Sequence, residues 1–298
     1  MQLERFAPAK VNLFLHVGRL GADGYHPISS LATFADIGDV IRFRLAPEMD
    51  FAIEGPFAED LTADGANLVT RARDLVLAAL PDEPRPFRLT LDKRLPIASG
   101  VGGGSSDAAA TLMLLGEAYG WAWLTQDDSE AELADMAGEL GADTPMCLRA
   151  RPIIAEGRGE ALSFPPPFPD LDVVLVNPLR PSPTGAVYRA YDDSDAAKSA
   201  DPPEWPEVLE SVEDVVGFLS GCRNDLEAPA ISLQPAIAEV LGALRQRPET
   251  LFARMSGSGA TCFAICANDR DSGDLAFSLS SFHPNWWVRA GRLAGYRA

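Results

Sequence analysis

The run at residues 96–112, PIASGVGGGSSDAAATL, sets four glycines and three serines between a strand pattern and a helix pattern. Upstream, Phe87, Leu89 and Leu91 alternate with Arg88 and Thr90, the period of a strand buried on one face. Downstream, residues 108–118 are strong helix formers that stop at Gly120. The order is strand, glycine loop, helix. Gly100, Gly102, Gly103 and Gly104 admit positive φ and let a ligand approach the backbone where a Cβ would otherwise stand. Ser105, Ser106 or Asp107 would cap the helix, whose open N–H groups and positive dipole end attract an anion. The segment reads as a phosphate cradle.

Two familiar phosphate loops are excluded. The pattern G-x-x-x-x-G-K-[ST] needs a Gly-Lys pair, and the chain has none. The dinucleotide fingerprint G-x-G-x-x-G fails because the sixth position counted from Gly100 is Ser105, with no clear trailing acid for a ribose. Taken alone, such a run is a tight turn that starts a helix. Its companions along the chain shift the balance.

At 298 residues with 47% apolar side chains, the chain can fill one large or two medium cores. No apolar run approaches the ~20 residues of a membrane span, and the short apolar stretch after Glu4 and Arg5 is not a signal peptide, so a cytoplasmic protein is expected. Cys147, Cys222, Cys262 and Cys266 show no C-x-x-C spacing and are expected as reduced core residues. A net charge of −18 disfavours nucleic acid and anionic membranes as partners. A phosphate ligand must then be met by local devices: helix N–H groups, a metal ion and a few placed cations. Three lysines, at 10, 93 and 198, stand against 22 arginines. Where Arg serves as the generic cation, a retained Lys marks a need for a compact ammonium group, which singles out Lys10 and Lys93. Lys198, in the stretch 192–204, is expected on the surface.

Residues 13–17 and 40–45 have strand patterns, and 66–80 carries Leu68, Val69, Ala72, Leu75, Val76 and Leu80 at helical spacing. A second helix is expected over 128–140, with Leu133, Met136, Ala137 and Leu140 on its apolar face and Gly141 as its stop. The proline-stiffened run SFPPPFPD at 163–170 is taken as the neighbourhood of a lobe boundary. Beyond it come a buried strand at 173–176, a helix at 235–245 with Pro235 near its start, and a strand at 261–267. Residues 192–210 are expected to form a mobile acidic surface loop.

Three stretches, APAKVNLFLHV at 7–17, the glycine run, and ARMSGSGATCFAI at 253–265, resemble in order the three motifs of the GHMP small-molecule kinases. Four further runs, DGYH at 23–26, DKRLP at 92–96, LGADTP at 140–145 and Asn224-Asp225, are similar to those of a branch that phosphorylates a cytidine diphospho-alcohol. The resemblance implies an α+β, two-lobed GHMP kinase fold. An N-terminal ATP-binding lobe would span 1–160 and a C-terminal α/β lobe 161–298, with the active site in the cleft between them. It implies ATP-dependent phosphotransfer to an alcohol with Mg²⁺ bridging the phosphates, small-molecule partners, and a monomer or homodimer. The rivals are a GHMP kinase for homoserine, mevalonate or a sugar, and a nucleotide-binding module without catalysis.

Phosphoryl transfer needs two reactants positioned, charge neutralised on the moving group and a proton accepted from the hydroxyl. By resemblance Asp143 is the base and Lys10 the charge stabiliser. From spacing alone Asp143, between Gly141 and Thr144-Pro145, is a turn or capping residue. Lys10, in an apolar strand pattern, needs an anionic partner. Asn12 falls on the same side of that strand and is expected to orient substrate. Tyr25 and His26 follow the Asp23-Gly24 turn signal and so stand on a loop. The resemblance assigns them, with Thr184 and Tyr188, to the substrate: aromatic rings sandwich a cytosine and hydrogen bonds read its edge.

For ATP the resemblance assigns Pro96, Gly100, Gly102, Gly103, Gly104, Ser105 and Ser106 to the phosphate loop, Lys93 to the nucleotide side and Asn67 to the adenine pocket. Ser105 or Ser106 is the candidate Mg²⁺ ligand. The turn Ser256-Gly257-Ser258-Gly259 either shapes the site or is a plain turn between strands. Asn224-Asp225 is either a site pair or a helix cap. Ser99 stands where the resembled loop often has glycine or alanine, and either adds a phosphate contact or crowds one.

Overall fold

The computed structural model describes residues 1–80, 82, 84–120, 129–195 and 198–297, and of 129–132 the backbone alone. The chain divides into two compact units that interleave in sequence. One comprises Met1–Ala9, Gly38–Ile97 and Gly102–Ala150; the other comprises Lys10–Ile37, Ala98–Val101 and Arg151–Ala298. The proline run 163–170, read from sequence as the boundary region, lies inside the second unit, whose last segment starts at Arg151 just after Ala150 ends a helix at φ 45°.

In the first unit the middle strand is β4 (Phe87–Asp92). It pairs antiparallel with the far half of β2 (Ile28–Leu45) and parallel with β3 (Asp50–Glu54). A parallel neighbour demands a crossover connection, and α1 (Leu68–Ala79) lies within it. The alternation at 87–91 is realised: Phe87, Leu89 and Leu91 are buried and stand opposite Leu45, Phe43 and Ile41. In the same core lie Val69, Ala72 and Val76 of α1, and Ala108, Leu112 and Leu115 of α2 (Gly103–Ala118). Truncating Leu89 to alanine would cost about 2–5 kcal/mol in such a layer. Two further helices among the described residues of this unit are α3 (Ser129–Leu140) and α4 (Thr144–Arg149). Leu133, Ala137 and Leu140 of α3 are buried as their spacing predicts; Asp128, the first residue of the predicted helix, lies outside the described residues.

In the second unit β7 (Leu171–Asn177) is buried along almost its whole length and lies between two antiparallel neighbours, β10 (Trp287–Leu293) and β9 (Cys262–Ile265). Beyond β9 lies β8 (Phe252–Met255). The near half of β2 pairs with β5 (Ile153–Gly157), which pairs with β6 (Ala161–Ser163). Five helices belong here: α5 (Thr184–Asp192), α6 (Val212–Ser220), α7 (Glu227–Leu233), α8 (Ala236–Arg245) and α9 (Asp269–Phe282). Leu15 and Val17 of β1 (Gln2–Val17) share a core with Val174, Ile237, Val240 and Leu275. All four cysteines are buried thiols. Among the described residues no helix is long and apolar enough to cross a membrane.

The stretch expected as a mobile acidic loop is tethered. Lys198, expected on the surface, donates from Nζ to the Asp192 carbonyl and lies 5.6 Å from the Tyr191 ring centroid. Trp205 packs against Phe14 and Phe218, with ring centroids 5.8 and 4.9 Å apart. Leu209 is buried, and its N–H donates to Pro167. Two apolar anchors outweigh the charge that suggested a solvated loop.

Candidate active site

The glycine run folds as a turn into α2. Gly102, at φ 62°, precedes the helix, and no side chain caps it. Ser105, Ser106 and Asp107, expected as caps, lie inside the first turns, where the Ser106 N–H bonds the Gly102 carbonyl at 2.9 Å. The N–H groups of Gly103, Gly104 and Ser105 have no acceptor within the helix, and the first turn holds no acid. A helix start built this way offers its donors to an external anion. The Ser106 hydroxyl is buried, with no hydrogen-bond partner among the described residues. Pro96 is buried where the chain enters the loop.

Lys93, expected to reach a nucleotide, is instead engaged behind the loop. Its Nζ donates to Asp39 Oδ2 at 2.6 Å and to Asp107 Oδ2 at 2.7 Å, and all three residues are buried. Asp39 Oδ1 also accepts the N–H groups of Arg94 and Leu95. Burial alone would lower the Lys93 pKa, but its two carboxylates outweigh it and raise it. Burial pushes Asp107 up to about 7; the Lys93 ammonium opposes this and the Asp39 carboxylate adds to it. Two carboxylates share one ammonium in a dry site, so Lys93 keeps its proton while Asp107 gains one easily. A Cβ on Gly103 would lie 3.0 Å from Lys93 Nζ, which puts the brace directly against the first residue of the helix. Asn67, expected in the adenine pocket, spends its side chain as the N-cap of α1: Oδ1 accepts from Val69 and Nδ2 donates to Thr62.

Residues Ala98–Val101 of the run belong to the second unit and pack on the second glycine turn. Thr261 N–H donates to the Ser99 carbonyl, Ser256 Oγ to the Gly100 carbonyl, and Lys10 N–H to the Val101 carbonyl, at 2.9, 2.9 and 2.8 Å. Gly100 has φ 75°, and a Cβ there would fall 2.5 Å from the Ser256 carbonyl. The 256–259 turn is therefore a support of the phosphate loop. Asn224 holds it from outside, donating from Nδ2 to the carbonyls of Met255 and Gly257 while Oδ1 accepts from Leu226, so it is at once a brace and a cap.

Lys10 and Asn12 lie on β1, both buried. Asn12 N–H bonds Ser256 Oγ and its Nδ2 donates to Ser30 Oγ at 2.8 Å, while Oδ1 is buried with no partner among the described residues. An orphan acceptor of this kind suits a substrate hydroxyl. Asp143 precedes α4, with Thr144 first in the helix and Pro145 second, and its carboxylate makes no capping bond. Asp143 thus holds the N-cap position in the turn after Gly141, as its spacing predicts, without a side-chain cap bond.

Tyr25 is exposed, with the Arg158 guanidinium 4.9 Å from its ring centroid and anchored on Asp23. His26 Nε2 lies 2.8 Å from Asp192 Oδ1, and its ring stands 4.9 Å from that of Tyr188. Tyr188 and Asp192 are four residues apart on α5 and so share a face, while Val187 and Tyr191 bury the adjoining face and the Tyr191 hydroxyl donates to the Val17 carbonyl. Thr184 Oγ1 lies 2.9 Å from Ser258 Oγ, tying the start of α5 to the glycine turn.

Family models for the GHMP kinases N terminal domain and the GHMP kinases C terminal match residues 67–151 and 209–285. A 4-diphosphocytidyl-2-C-methyl-D-erythritol kinase of Caulobacter sp. (strain K31) is 54% identical, covering 99% of each chain. The chain belongs to the GHMP kinases. A kinase of the same name from Sinorhizobium medicae (strain WSM419) is 45% identical over 97% of this chain and 94% of its own. The crystal structure of a 4-(cytidine 5'-diphospho)-2C-methyl-D-erythritol kinase matches at TM-score 0.76 and 31% identity, covering 99% and 100% of the two chains. The homoserine kinase of Cytophaga hutchinsonii shares the fold, with TM-score 0.68, 18% identity and 97% and 94% coverage. The α+β architecture read from the motifs is that of the family.

In this GHMP kinase several supporting residues escape a motif reading. Asp39 and Asp107 brace the loop through Lys93, Ser30 holds Asn12, Asp192 holds His26 and Ser258 holds Thr184. Asp107 and Ser258 stand inside runs read as a helix start and a glycine turn, and Asp192 has a helical spacing from Tyr188; Asp39 and Ser30 carry no signal in the sequence.

Proposed function

We propose that this kinase transfers the γ-phosphoryl group of ATP to the 2-hydroxyl of 4-diphosphocytidyl-2-C-methyl-D-erythritol, a step of the non-mevalonate route to isopentenyl diphosphate. The observation that carries the reading is the pairing of His26 with Tyr188 and Asp192, close in sequence to Tyr25. Homoserine, mevalonate and sugars bring no base for such a cluster. The names of the full-length relatives support the same substrate.

In the reaction, the substrate hydroxyl oxygen bonds to the γ-phosphorus as the bond to the β-bridging oxygen breaks, and ADP leaves with that electron pair. The hydroxyl proton passes to the Asp143 carboxylate. The Lys10 ammonium offsets charge at the reacting oxygens, and the open N–H groups at the start of α2 hold the phosphates. The buried Ser106 hydroxyl is the candidate protein ligand for Mg²⁺, which when bound would neutralise phosphate charge. The enzyme acts in the cytoplasm as a monomer or homodimer.

ADP release measured across a panel of alcohols tests the reading. Turnover on the cytidine diphospho-alcohol exceeding that on homoserine, mevalonate and galactose by orders of magnitude is expected. Equal or greater turnover on one of those three overturns the substrate assignment, and release with none of them overturns catalysis.

A further inference from the structure

An open cleft of about 520 Å³ lies in the second unit between the α6–α7 connection, the end of α8 and β8. Its lining places three guanidinium groups, Arg223, Arg245 and Arg254, against a single carboxylate, Glu227. Asp225, outside the lining, pairs with Arg223, so among the described residues three cations face two carboxylates, a local positive excess in a chain of net charge −18. None of the residues assigned to ATP, substrate or proton transfer lines it.

The three cations are held differently. Arg254 is buried; it donates to the carbonyls of Leu13, Leu219 and Cys222 at 3.0, 3.0 and 2.6 Å, and no carboxylate among the described residues comes within 4 Å of it. Its charge is met at contact distance by these carbonyl dipoles and by the Phe252 ring, 4.6 Å away, with Glu227 acting from further off; burial outweighs that carboxylate and lowers its pKa. Among the described residues Arg245 makes long contacts, 3.3 Å to Glu227 Oε1 and 3.4 Å to the Ala253 carbonyl, and its side chain is about half exposed. Arg223 pairs with Asp225 and the Ser199 carbonyl, and is also about half exposed. Arg245 and Arg223 therefore have donors to offer, and buried Arg254 supplies a fixed field. Several planar forks around one concavity match the tetrahedral, multiply charged oxygens of a phosphoryl group better than a lone carboxylate.

We propose that this cleft is a second anion site that takes a phosphoryl-bearing small molecule, distinct from the ATP-binding loop. The cleft wall is wired to that loop. Glu227 Oε2 accepts the Met255 N–H at 3.0 Å, and Asn224 holds the carbonyls of Met255 and Gly257. Ser256, between them, donates to Gly100 and accepts from Asn12. An anion that draws Arg245 from Glu227 alters the grip on the turn beneath the phosphate loop, so the site is placed to modulate the kinase. The inference stands on the cleft alone and does not require the substrate named above.

Calorimetric titration of the full-length protein with inorganic pyrophosphate, with the ATP site saturated by a non-hydrolysable ATP analogue, tests it. One saturable pyrophosphate site is expected to remain under saturation. Arg245→Gln and Arg223→Gln should each weaken it about tenfold to a hundredfold, the loss of a charge-assisted contact. Both side chains are half exposed, and unchanged circular dichroism confirms that the variants fold. Absence of binding, competition with the analogue, or unaltered affinity in both variants overturns the site. Malonate binding as tightly as pyrophosphate overturns the phosphoryl assignment.

Discussion

The rings of His26 and Tyr188 lie 4.9 Å apart between centroids and are tilted by 39°. Rings this close already touch, so under the proposed function a nucleobase would stack on the Tyr25 and Tyr188 rings without entering between Tyr188 and His26. Tyr25→Ala and Tyr188→Ala should each forfeit about 1–3 kcal/mol of stacking. The loss is expected as a raised KM for the cytidine substrate with little change in KM for ATP, because the base is remote from the reacting hydroxyl. Unchanged KM in both variants would take the base away from this cluster.

Base identity is a separate question from stacking. His26 is oriented by Asp192 through Nε2, which fixes the direction in which the rest of the ring can meet a base edge. His26→Ala should therefore blunt the preference for cytidine over uridine diphospho-alcohols, and Asp192→Asn should do so more weakly by loosening the ring. The measurement is the ratio of kcat/KM for the two substrates. A ratio untouched by either change sinks the role.

For chemistry, Asp143→Asn keeps the shape of the side chain and cannot accept a proton. A rate loss of about 10² to 10⁴ is expected with ATP affinity preserved. Lys10→Ala removes a placed charge, an effect on the order of 10² to 10³. Single-turnover rates near wild type in either variant would show that the residue does not act in the step.

His16 links β1 to the tethered 198–210 segment. The Arg223 N–H donates to its Nε2, so Nδ1 carries the proton and donates to the Asp201 carbonyl at 2.8 Å. Burial holds its pKa below the ordinary 6.5. The unfolded chain protonates this group first as pH falls, so stability from His16 is present above about pH 6.5 and is lost below it, by up to about 1.4 kcal/mol per pH unit. Urea unfolding at pH 7.5 and 5.5 should show the wild type losing its advantage over His16→Gln as pH drops. A constant gap between the two proteins would contradict the assignment.

What the sequence made legible was whatever depends on local pattern. The alternation at 87–91 and the spacing at 66–80 marked the core of the first unit, because burial of one face leaves a period in the residues themselves. The glycine run was readable as a loop before a helix for the same reason. Partnership across distance left no such trace. Lys93 stands out in the sequence as one of three lysines against 22 arginines, but the two carboxylates that claim it come from positions 39 and 107, so its place behind the loop could not be read. Asn67 carries the local signal of an Asn before a helix, a cap, and its side chain fills that role, which leaves the adenine assignment resting on the motif match alone. The interleaved units likewise follow from strands β1 and β2 being long enough to serve both, which a contiguous lobe boundary cannot express.

The brace of Lys93 makes the last prediction. If Lys93 met the nucleotide, Lys93→Met would weaken ATP binding and leave the unfolding midpoint alone. Because it stands between two buried carboxylates, the change should instead cost about 3–5 kcal/mol of stability, the cost of leaving buried charge uncompensated. The pH dependence separates the readings further. Asp107 ordinarily titrates near 3.8 and is pushed to about 7 in the folded protein, so folding takes up a proton between those values. Its contribution is full below about pH 4 and is lost as pH rises through about 7. Asp107→Asn carries no such proton, so the stability of the wild type relative to this variant should fall steadily from pH 4 to pH 7 in denaturant titrations. A relative stability that is flat across that window, together with a Lys93→Met midpoint equal to wild type, would return Lys93 to the nucleotide.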